Sequence, residues 1–107
     1  MSNVSDVTDA DFEREVLQSG LPVLVDFWAD WCSPCKQLSP VIDELAAQYA
    51  GRVKFVKMDT NVNMVTPATV GVRNLPTVLV FSKGEVVKQM MGSVTKMSLR
   101  KALDEVG

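Results

Sequence analysis

The chain has 107 residues, 47% of them hydrophobic and 22% charged, with a formal net charge of −2. That size and composition fit one globular domain, residues 1–107, able to build an apolar core without cross-links. The charge gives no basic field for nucleic acid or an anionic membrane, and two cysteines with no histidine cannot make the four-ligand set of a structural zinc site within one chain, which leaves only a metal shared between two chains, suggested by nothing else here.

At the start, MSNVSDVTDADF has neither the basic end nor the apolar run of a signal peptide. Residues 3–7 read as a short first strand. Thr8 with Asp11 resembles a capping box, and Phe12, Val16 and Leu17 give one apolar face to a helix ending near Gly20. Residues 22–28, PVLVDFW, are β-rich and almost continuously apolar, as a central strand buried on both faces should be. The longest apolar stretch, Leu21 to Ala29, is broken by Asp26 and too short to span a bilayer. The expected location is therefore the cytoplasm, where a disulfide is more often transient and catalytic than permanent.

Residues 34–49 carry Leu38, Val41, Ile42, Leu45, Ala46 and Tyr49 at helical spacing. Pro34 suits the first turn, Pro40 should kink the helix, and Gly51 ends it. A strand follows at 53–59, then a weak helix around 62–70 burdened by β-branched residues and Pro67. Residues 76–82 and 85–91 form a hairpin about Lys83-Gly84, and Thr95 caps a last helix with Leu99, Leu103 and Val106 inward. Met58, Met64, Met90, Met91 and Met97 read as packing filler. The pattern is α/β with a mixed sheet, parallel early and antiparallel late.

The chemistry sits in ADWCSPCKQLSP, residues 29–40, which holds both cysteines. A disulfide across so short a loop removes little unfolded-chain entropy, so a structural staple is a weak reading and a redox couple leads. Cys32 falls after the central strand and Cys35 in the first helical turn, a spacing within reach of a disulfide. Cys32 lies at the positive end of the helix dipole, which favours its thiolate. Cys35 points into the turn and should be the more buried sulfur. Cys32 is then the nucleophile and Cys35 the resolving thiol. Lys36 adds a nearby charge, though a solvated lysine that serves solubility is the better explanation.

Strand alternation puts Leu24, Asp26 and Trp28 on one face and Val23, Val25 and Phe27 on the other. Asp26 is thus a carboxylate in apolar surroundings, and burial raises its pKa. Lys57, sharing a face with Val53 and Phe55, is the obvious partner for a structural pair. Behind Cys35, a proton relay to the resolving thiol is the favoured reading.

The run VDFWADWCSPC, with Lys57, LPT at residues 75–77 and Gly92, resembles the thioredoxin family over essentially the whole chain. The resemblance implies a thioredoxin fold: a five-stranded mixed β-sheet flanked by four α-helices, with Cys32 exposed at a strand's C-terminal end and Pro76 cis. It implies a protein-disulfide oxidoreductase, with Asp26 and Lys57 serving the couple. It also implies a docking groove around Trp31, Ser33, Pro34, Leu75, Pro76, Thr77, Gly92 and Ser93. The implied partners are disulfide-bearing client proteins and a thioredoxin reductase, an NADPH-dependent flavoprotein. The chain has no cofactor motif and is expected to be a monomer.

Several positions depart from the family pattern. Ser33 replaces the usual glycine. As an N-cap or a donor to Cys32 it would shift the potential, which keeps an oxidase or isomerase open as alternatives. Val70 replaces an aromatic, Asn74 a small residue and Ser93 an alanine, changes that either narrow the partner range or are neutral drift. A docking module without turnover is the remaining alternative, although intact Cys32, Cys35, Asp26 and Pro76 speak against it.

Overall fold

The computed structural model describes residues 3–106. Strands β1 (Val4–Asp6), β2 (Val23–Trp28), β3 (Lys54–Asp59), β4 (Thr77–Ser82) and β5 (Glu85–Met91) form one sheet in the order β1-β3-β2-β4-β5. β3 runs parallel to β1 and β2, whereas β4 is antiparallel to β2 and β5. Helical segments α1 (Glu13–Leu17), α2 (Ser33–Gln48), α3 (Val65–Thr69) and α4 (Lys96–Val106) flank it. This is the five-stranded mixed sheet with four helices that the resemblance implied. Among the described residues, no helix is long and apolar enough to cross a membrane.

β2 is almost continuously apolar because it is bonded on both edges and covered on both faces. Val23, Leu24, Val25 and Phe27 are fully buried. On one face Leu24 packs with Phe55, Val78 and Val80 beneath Leu38, Ile42 and Leu45 of α2 and Leu99 and Leu103 of α4. On the other, Val23, Val25 and Phe27 pack with Val56, Met58 and Leu79 beneath Phe12 and Val16. The rings of Phe12 and Phe81 meet edge to face, 5.5 Å between centroids.

The helices α1 and α3 are shorter than their patterns suggest. α1 stops at Leu17 and is wound as a π-helix, with the Gln18 N–H donating to the Glu13 carbonyl at 2.9 Å. Ser19 and Gly20 are poor helix formers and do not extend it. Only half of the expected capping box forms: the Thr8 N–H donates to Asp11 Oδ1 at 2.7 Å. α3 covers five residues, and its N-terminus is held from across the chain. The N–H groups of Val65 and Thr66 donate to the Asp9 carboxylate at 3.1 and 2.8 Å.

The remaining elements follow their signals closely. α2 passes through Pro40 without interruption. Lys83 and Gly84 both adopt positive φ, 54° and 81°, the geometry of a tight two-residue hairpin turn. At the start of α4, the Ser98 N–H donates to Thr95 Oγ1 and the Thr95 N–H to Ser98 Oγ, each at 3.1 Å. The methionines are the exception. Met58 is buried and Met90 half-buried, but Met64, Met91 and Met97 are exposed, so the filler reading fails for those three.

Candidate active site

The site grows from the junction of β2 and α2. After Trp28 the chain turns through Ala29, and the Cys32 N–H donates back to the Ala29 carbonyl at 3.1 Å. Cys32 is extended (φ −94°, ψ 98°) and is the N-cap of α2, its Sγ accepting the Cys35 N–H at 3.2 Å. The sulfur thus takes the capping place considered for Ser33, which is instead the exposed first residue of the helix. Cys32 and Cys35 are joined in a disulfide, with their Cα atoms 5.3 Å apart.

The expected contrast in burial between the two cysteines is absent. Cys32 is 3% exposed and Cys35 4%. The cause is packing that local sequence does not reveal: both cysteines sit with Ala29 against the flanks of Trp28 and Leu75. Cys32 is therefore at the end of a strand, as implied, but covered.

Beneath the couple lies Asp26, 5% exposed, with Oδ1 lacking any hydrogen-bond partner among the described residues. Burial pushes its carboxyl up to about 7; Lys57 pulls against this and Asp43 adds to it. Asp26 and Lys57 are register neighbours across β2 and β3. No Asp26–Lys57 ion pair closes among the described residues, and Lys57 Nζ lies 6.0 Å from the centroid of the Trp28 ring. The structural-pair reading of these two groups is therefore not borne out. A cavity of about 150 Å³ separates them from α2 and is lined by Asp26, Trp28, Cys35, Lys36, Ser39 and Lys57.

On the outer side the Leu75–Pro76 peptide is cis, and the Gly92 N–H donates to the Pro76 carbonyl at 3.1 Å. Pro34, Leu75, Pro76, Gly92 and Ser93 share a hollow of about 470 Å³ with Val94 and Lys96. Trp31 and Leu75 share a neighbouring one of about 370 Å³ with Arg73 and Asn74. Leu75 lines both and packs against the two cysteines, so the hollows flank the couple. Trp31 is 69% exposed, yet its Nε1–H donates to Asn61 Oδ1 at 3.1 Å. Asn61 in turn donates to Asp30 Oδ1 at 2.8 Å.

Two expected groove residues are not part of it. Thr77 is fully buried in the first position of β4, and its hydroxyl donates to the Asn74 carbonyl, bracing the loop from behind. Ser33 lines neither hollow. Sequence reasoning missed Asn61, which orients Trp31, and Ser39, which reaches the Asp26 cavity. Ser39 carried a signal, since it lies four residues, one helical turn, beyond Cys35.

Residues 3–105 match the family model described as Thioredoxin. The chain is 48% identical to a thioredoxin of Haemophilus influenzae over 105 residues, covering 98% of each. It is 47% identical to thioredoxin 1 of Synechococcus elongatus over the same share of both chains. Similarity extends to a chloroplastic M-type thioredoxin of Brassica napus, 44% identical over 92% of this chain and 56% of that one.

Proposed function

The chain belongs to the thioredoxin family and is a thiol–disulfide oxidoreductase, and we propose that it acts mainly as a reductant of protein disulfides. The observation that carries this reading is the couple itself: two sulfurs one helical turn apart at the start of α2, backed across a cavity by a carboxylate with one oxygen unpartnered among the described residues.

In the forward direction the Cys32 thiolate attacks one sulfur of a client disulfide. A Cys32–client disulfide forms and the client's other sulfur leaves as a thiolate. Asp26, ionised, takes the Cys35 proton. The Cys35 thiolate then attacks Cys32 Sγ, closing the intramolecular disulfide and releasing the client's second thiolate, which is protonated from solvent. Two electrons have moved from the Cys32–Cys35 pair to the client. Lys57 keeps Asp26 from becoming too weak an acid, because its charge opposes the effect of burial.

The groove bearing Trp31, Pro34, Leu75, Pro76, Gly92 and Ser93 receives an extended client segment. A reductase, by resemblance an NADPH-dependent flavoprotein, restores the dithiol. The protein works as a monomer in the cytoplasm.

Cys35→Ser should strand the client on Cys32, so mixed disulfides should be recovered from a lysate by capture of the variant. Their absence would refute the scheme. The direction is tested by the reduction potential of the couple in defined thiol buffers. A value around −270 mV supports a reductant, whereas one around −180 to −120 mV would make the protein an isomerase or oxidant.

A further inference from the structure

We propose that Ser39 is a positioning residue for the resolving step: its hydroxyl anchors the water that carries the proton from Cys35 Sγ to Asp26 Oδ1. The inference rests on the reading of Asp26 as the proton acceptor and goes beyond it to the means of transfer.

Three observations converge on Ser39. First, Cys35, Ser39 and Asp43 follow one another at intervals of four along α2, so they occupy one edge of the helix. Both ends of that row communicate with the β2 carboxylate: Cys35 shares its cavity, and Asp43 acts on its charge. Ser39 lies between them. Second, Ser39 lines the cavity of about 150 Å³ together with Asp26 and Cys35. That volume holds several waters, each of which takes a share of about 30 Å³ in the liquid. Third, Asp26 Oδ1 is buried and has no hydrogen-bond partner among the described residues. A water there needs two to four polar contacts to be held, and Asp26 and Ser39 supply two of opposite character. Asp26 accepts; the Ser39 hydroxyl both donates and accepts and can follow the proton as it moves. Lys36 and Lys57, the two cations that line the cavity, only donate.

The step balances simply. The water gives a proton to the Asp26 carboxylate as it takes one from the Cys35 thiol, leaving a thiolate, a neutral carboxyl and an unchanged water. The thiolate then displaces the client from Cys32 as described above.

The resolving step can be isolated with an aromatic disulfide, Ellman's reagent, on the reduced protein. The first burst of coloured thiolate reports attack by Cys32, and the second reports attack by Cys35. The second phase should be followed between about pH 5 and 9 in wild type, Ser39→Ala, Ser39→Thr and Asp26→Asn. Ser39→Ala should slow it by about 3–10-fold, the worth of one hydrogen bond, and change its pH profile. The first phase should be unaffected, and Ser39→Thr, which keeps the hydroxyl, should restore the rate. Alanine favours the helix, so loss of fold does not confuse the result. If Ser39→Ala matches wild type while Asp26→Asn is slow, the role of Ser39 is overturned and that of Asp26 stands. If Asp26→Asn also matches wild type, both fall.

Discussion

The two faces of β2 are built from one hexapeptide and behave differently. Toward α1, Val23, Val25 and Phe27 present only apolar atoms, all fully buried. Toward α2, Leu24, Asp26 and Trp28 include a carboxylate with an unpartnered oxygen and an indole N–H that is likewise unpartnered among the described residues. The first face holds the domain together. The second carries an uncompensated polar cost next to the couple, the arrangement expected where an acid must titrate near neutrality. The difference teaches that burial alone is not stabilising: its sign depends on whether the buried atom has a partner.

The contrast is broken most severely from the apolar side. Phe27→Ala should cost about 3–5 kcal/mol by urea denaturation, while leaving the pH profile of the resolving step in place. Asp26→Asn should act in the opposite sense. The folded protein holds the Asp26 proton up to about 7, while the unfolded chain releases it near the ordinary 3.8. The unfolded state therefore binds fewer protons in that window, and stability falls as pH rises through it. The variant escapes this loss and should be more stable than wild type at pH 8 by up to roughly 4 kcal/mol, with little difference below about pH 4. Equal stabilities at pH 8 would mean that the carboxylate has a partner after all.

Tyr49→Phe gives the smallest and most discriminating test. Tyr49 is buried on the same side as Asp26, but its hydroxyl donates to Asp104 Oδ1 at 2.6 Å. Removing a partnered group should cost about 1–2 kcal/mol, against the gain from neutralising the unpartnered one.

What could be read in the sequence followed this division. The apolar run around Asp26 identified β2, because a strand covered on both faces has no polar alternation to hide it. The spacing from Leu38 to Tyr49 identified α2, and Lys83-Gly84 identified the hairpin. Several of the misses depend on groups distant in the chain. α3 begins where Asp9 reaches it, a bond spanning 56 residues to Val65. The cover over Cys32 comes partly from Leu75, and Trp31 is tethered by Asn61. Thr77 lies beside the groove in sequence, yet the pleat turns its side chain inward. Local pattern sets the periodicity of an element, whereas its ends and the exposure of its side chains are set by what folds over it.

The burial of both cysteines bears on how the oxidised protein meets small thiols. Thiol–disulfide exchange requires the attacking sulfur to reach its target, so its rate depends on access as well as on potential. With Cys32 only 3% exposed, a free thiol must find a narrow approach past Leu75 and the Trp28 flank. A protein partner that fills the groove presents its own sulfur already aligned, and the entropy of that alignment is met by the docked surface. The covered couple should therefore exchange more slowly with small thiols than with a partner that fills the groove, which the rates of reduction by each would show.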